Sequence, residues 1–127
     1  MTEKKPGDIV NVDIIVSKPT TGTCDVWIGL SLKLQDGTIV DYDMQKVTLS
    51  GTTSAKTTFS FQLDANAPLG RYELRTCAWS KYIPMGRDDP TAVRYSCLPS
   101  PTTWGYAFDV VSAPVVCTAV ITSYVVS

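Results

Sequence analysis

Residues 57–81 read TTFSFQLDANAPLGRYELRTCAWSK, and the fold follows from how that stretch divides. Phe59, Phe61 and Leu63 alternate with polar neighbours, the two-residue period of a strand with one face on a core. Residues 64–70, DANAPLG, break the period with turn formers. From Arg71 the alternation resumes: Tyr72 and Leu74 share one face, while Arg71, Glu73 and Arg75 share the other. A second strand is therefore expected over residues 71–80, and the pair covers one side of a core while its other side stays wet.

Working outward, the same period recurs on both sides. Over residues 8–17, Val10, Val12, Ile14 and Val16 fall opposite Ile9, Asn11, Asp13 and Ile15. Over residues 24–35, Cys24, Val26, Ile28, Leu30, Leu32 and Leu34 point inward, with Trp27, Gly29, Ser31 and Lys33 outward. Asp36-Gly37 predicts a two-residue type I′ hairpin, and the return strand places Val40, Tyr42 and Met44 on one face. A short edge strand is expected over residues 47–49 and a loop over residues 50–56. Beyond the second strand of the opening pair, residues 82–103 form a connection rich in Pro, which is long for a compact domain and calls for something to pin it. A closing strand over residues 104–112 would put Tyr106, Phe108 and Val110 on the core. Residues 1–7 are polar and expected to be loosely held.

These add up to about seven antiparallel strands in residues 1–112, an all-β sandwich. Residues 113–127 add something different. After Ala113-Pro114, Val115, Cys117, Ala119, Ile121 and Val125 lie on one face of an extended segment, and Val116, Val120, Tyr124 and Val126 on the other. A strand wetted on one side does not have this pattern. Residues 113–127 are expected to form an extra strand packed on an edge of its own domain or exchanged with a neighbour's, with Val115, Val116, Val120, Ile121 and Tyr124 as interface candidates.

Composition supports the class. Val, Ile and Thr supply 37 of 127 residues and Glu only two, a balance that favours strands. With 11 basic and 12 acidic residues and no basic stripe, a nucleic-acid partner is not expected. No apolar run approaches the ~18 residues of a spanning helix, and membrane insertion is not expected either. The absence of His removes Ser/His and Cys/His nucleophile pairs. Glu73 sits on a solvent phase without a convergent second carboxylate, and the glycines form no phosphate cradle. The chain is read as non-enzymatic, with no cofactor and no metal site. Asp36, Asp41, Asp43, Asp88 and Asp89 lack the spacing of a calcium loop, and turn chemistry accounts for them.

Four cysteines without a CxxC pair fit two disulfides better than zinc. Cys77 follows the outward phase of its strand, and a bond to Cys97 would close the long connection, worth about 3 kcal/mol in the chain-entropy model. That leaves Cys24 for Cys117, one of the three pairings four cysteines allow. Trp27 and Trp79 are on outward phases and Trp104 is at the loop exit. Such rings either stack on a sugar or pack beneath the long loop or against a protein.

The runs PGDIVNV, WIGLSL, TTFSF and APLGRYEL, spread over residues 6–111, resemble prokaryotic and viral immunoglobulin-like accessory modules, such as cell-adhesion-related and macroglobulin-like repeats. The APLGRYEL run resembles the corner entering strand F, where a Tyr hydroxyl bonds back onto the preceding connection. The resemblance implies a spacer, adhesive or assembly unit of an extracellular, cell-surface or virion structure, acting through protein contact, including contact with a second copy of itself. The alternative is a carbohydrate-binding module that uses Trp27, Trp79 or Trp104.

Overall fold

The computed structural model describes residues 2–17, 22–51, 54–112 and 120–126. These form eight strands and no helix: β1 (Glu3–Lys4), β2 (Ile9–Ser17), β3 (Thr23–Lys33), β4 (Ile39–Ser50), β5 (Ser54–Gln62), β6 (Gly70–Trp79), β7 (Arg94–Leu98) and β8 (Gly105–Val110). The larger sheet runs β1-β8-β6-β3-β4, with β7 also paired to β6, and the smaller sheet is β2-β5. The all-β sandwich expected from the alternation is what forms.

Inward phases of the two sheets meet in two joined clusters. Near the Gly70 end of β6, Val10, Leu32, Leu63, Tyr72, Phe108 and Val110 pack together. Near its Trp79 end, Val26, Ile28, Leu30, Val47, Leu49 and Phe59 do so. Each of the large aliphatic side chains contributes roughly 1.5–3 kcal/mol by leaving water. Tyr42 stacks on Phe61 at 4.7 Å and Tyr72 on Phe108 at 5.1 Å between ring centroids. The Tyr72 hydroxyl donates to the Pro68 carbonyl at 2.8 Å, so the corner closes as the sequence predicts. Gly70 makes the bend at φ +121°, a backbone conformation open to glycine.

Four expectations are corrected. Residues 39–50 form one strand, not two, because a bulge where β4 passes Gly29 shifts the register between Ile28 and Leu30. The bulge flips the phase, turning Val47 and Leu49 inward and Met44 to the outer face beside Gly29. A second shift, between Tyr72 and Glu73 against β8, sets Tyr106 opposite Glu73 and removes it from the core. Tyr106 instead bonds Asp109 at 2.8 Å and lies under Arg71.

The Asp36-Gly37 hairpin is not type I′, since only Gly37 of the pair has positive φ. Gly37 N–H donates to Leu34 and Leu34 N–H to Thr38, a three-residue loop closed by a glycine bulge. Last, residues 3–4 are not loose: β1 runs parallel to β8, pairing Glu3 with Asp109 and Lys4 with Val110.

The loop expected over residues 50–56 and the connection expected over residues 82–103 also differ, since β5 begins at Ser54 and β7 forms at Arg94–Leu98, and the extra strand expected at the end of the sequence is the last difference. Residues 120–126 belong to no strand, and Val120, Ile121, Tyr124, Val125 and Val126 are 83–94 % exposed. They do not pack on an edge of their own chain. A segment apolar on both faces is stable as a strand only when covered on both, and no described element of this chain covers residues 120–126. Val115, Val116 and Cys117 lie outside the described residues.

Candidate functional site

The two sheets do not close equally at their two ends. At the Gly70 end, β8 pairs with β6 and β1 pairs with β8, sealing the gap beside Val10. At the Trp79 end β6 is flanked by β7 instead. Neither the edge of β2 away from β5 nor the edge of β7 away from β6 has a strand partner among the described residues. Between these edges a slot of about 530 Å³ opens into the core.

Its floor is Cys24, Val26 and Ile28 of β3 with Thr76 and Ala78 of β6, its wall residues 14–17 of β2, and its rim residues 95–98 of β7. Among the described residues no lining side chain is charged. Thr76, the buried polar residue of the floor, donates its hydroxyl to the Gly29 carbonyl at 2.7 Å, so it makes no demand on an occupant. Ile15, Tyr95 and Leu98 at the mouth are 70, 58 and 65 % exposed. Two unpaired edges beside an apolar slot suit an added strand: backbone groups bind the edges and alternate side chains fill the floor.

The predicted disulfide between Cys77 and Cys97 is present. The residues face each other across β6 and β7 with Cα atoms 4.1 Å apart. It fixes β7, and therefore the slot's rim, to the sheet. Cys24 has no disulfide partner among the described residues, and Cys117 lies outside them.

The three tryptophans are part-buried. Trp27 and Trp79 are direct cross-strand neighbours on the outer face of the large sheet. Tyr82, from the connection after β6, lies against Trp27 at 5.2 Å. Its hydroxyl donates to Asp43 at 2.6 Å; that bond, before burial, raises the Tyr82 pKa. Arg94 lies over Trp79 and Arg75 over Trp104, at 5.8 and 4.5 Å. Every ring thus has a side chain laid on it, and they do not form one open platform.

The acidic residues are engaged locally. Asp36 accepts from Thr38 N–H at 3.0 Å, Asp41 from Ser31 and Asp89 from Thr91 N–H at 2.9 Å. Among the described residues no cluster of His, Cys, Asp and Glu is arranged to hold a metal. A second concavity, of about 240 Å³, lies under the connection after β6 and mixes Arg75, Arg87 and Arg94 with Asp41 and Asp88.

Comparison with protein-family models, curated proteins and solved structures gave no match. The slot was missed in the sequence because an absent neighbour leaves no mark on a strand's own pattern. The available signal was that β2 carries Ile9 and Ile15 on its otherwise polar face, and both are exposed.

Proposed function

We propose that this chain is an immunoglobulin-like, non-catalytic module that works by protein–protein contact in an extracellular, cell-surface or virion assembly, and that the contact is strand addition at the slot between β2 and β7. The observation that carries this reading is the uncharged opening of about 530 Å³ between two unpaired strand edges. A chain left with such an opening exposes core side chains and backbone groups that a partner strand satisfies. The Tyr72 corner and the two-sheet arrangement support the immunoglobulin-like part of the reading. The Cys77–Cys97 bond suits an oxidising location.

Ile15→Asp and Leu98→Asp place a charge at the mouth, on side chains already exposed, so folding should persist while a partner strand is refused. Size-exclusion light scattering of the full chain is expected to give a mass that rises with concentration, and both variants should remain monomeric. A wild-type mass fixed at the monomer over the whole accessible concentration range would remove the reading.

A further inference from the structure

The occupant of the slot is named by the chain itself. Residues 113–127 contain no charged residue, matching a slot whose described lining contains none. The apolar side chains of residues 120–126 are 83–94 % exposed, which is unfavourable for a segment rich in Val and Ile unless something covers it. Extended, the twelve residues 115–126 span about 40 Å, enough to run the nine residues, about 30 Å, of β2.

The segment does not fill the slot of its own chain, since residues 120–126 belong to no strand and their apolar side chains are exposed. β8 runs from Gly105 beside Leu74 to Val110 beside Gly70, whereas the slot lies by Thr76 and Ala78. A contact that joins one end of a copy to the opposite end of the next is head-to-tail.

Resting on the strand-addition reading above, we propose that the slot receives residues 115–126 of a second copy, with Cys117, Ala119, Ile121 and Val125 facing the floor, and that Cys117 then bonds to Cys24 of the receiving copy. Cys24 lies on the floor, which sets Cys117 on the inward face together with Ser123, while Thr118 and Thr122 fall on the other face with Val116, Val120, Tyr124 and Val126. Closing the bond removes one proton from each thiol and two electrons in all. A small disulfide such as oxidised glutathione accepts them and leaves as two thiols.

Full-length Cys24→Ser and Cys117→Ser chains, mixed in a glutathione buffer, test the proposal. The mixture should yield one covalent heterodimer by intact mass, with Cys24 and Cys117 joined in the peptide map, while the wild type forms a covalent ladder. A wild-type monomer carrying a second internal disulfide, or a mixture without heterodimer, overturns the proposal. Without oxidant, Ile121→Asp should abolish association by light scattering and Thr122→Asp should leave it unchanged; equal association of both overturns the proposed face. If the wild type associates and Ile15→Asp blocks it while Ile121→Asp does not, strand addition stands and this occupant is wrong. If the wild type never associates, both fail.

Discussion

Tyr72 shows how much of the sandwich hangs on single side chains. Its ring is fully buried against Phe108, and its hydroxyl reaches back four residues to Pro68. Tyr72→Phe keeps the ring but leaves a part-buried carbonyl without its donor, so it should cost about 1 kcal/mol, measured as a lower urea midpoint with unchanged slope. Burial, reinforced by the Asp36 and Asp64 carboxylates, raises the Tyr72 pKa. The neutral hydroxyl is the form the fold favours. Its contribution is therefore complete below the unfolded phenol value of about 10 and is lost as pH rises through the higher folded value. Stability of the wild type should fall more steeply than that of Tyr72→Phe above about pH 10. Two residues away, a Cβ on Gly70 would come within 2.7 Å of the Gln35 side chain, whose Oε1 accepts the Arg71 N–H at 2.7 Å. Gly70→Ala combines that displacement with positive-φ strain, and a loss of about 1–3 kcal/mol in the same urea experiment is expected.

At the scale of elements, the Cys77–Cys97 bond acts on β7 rather than on the core. β7 buries little of its own: Tyr95 and Leu98 are exposed and Arg94 lies over Trp79 on the outer face. Replacing both cysteines by Ala should cost about 3 kcal/mol, and amide exchange should speed up most at residues 94–98, with β3 and β6 protected until global unfolding. This asymmetry also explains what could be read from sequence. β2 and β3 each put four or five residues of strict alternation on a core. The faces of these strands, of Phe59 and Phe61 in β5 and of Tyr72 and Leu74 in β6 are as predicted, as are the outward Trp27, Cys77 and Trp79. β1 has two residues and β7 reads RYSCL, too short or too polar to carry a period. The bulges beside Gly29 and at Ala107 were invisible because one extra residue changes no composition. Each reverses the phase of everything beyond it, which puts Met44 and Tyr106 on the face opposite to the one their spacing predicts. The disulfide was legible because a long loop needs a pin. The slot was not, because it is defined by an edge of β2 that has no strand partner among the described residues.

For the whole molecule, the slot lies by Thr76 and Ala78, at the opposite end of β6 from Gly70, beside which β8 ends. An isologous contact would close at two copies, whereas a head-to-tail contact leaves a vacant slot at one end and an uncovered segment at the other, so addition continues. The surface elsewhere is nearly neutral, with 11 basic against 12 acidic residues, and its ion pairs, such as Lys46–Asp25 and Lys56–Asp13, are solvent-exposed and contribute little. Neither the described lining of the slot nor the segment carries a charge. Raising sodium chloride from about 0.05 to about 1 M shortens the screening length from roughly 14 to 3 Å and would dissolve an assembly held by charges. Here the light-scattering mass at fixed concentration should stay unchanged over that range, and ammonium sulfate should raise it by strengthening apolar burial. Sedimentation should resolve species beyond the dimer, in a series that lengthens with concentration. A mass that falls toward the monomer with chloride would place the contact on the charged outer faces and leave the slot without a role in assembly, and a distribution that stops at two copies would overturn head-to-tail addition.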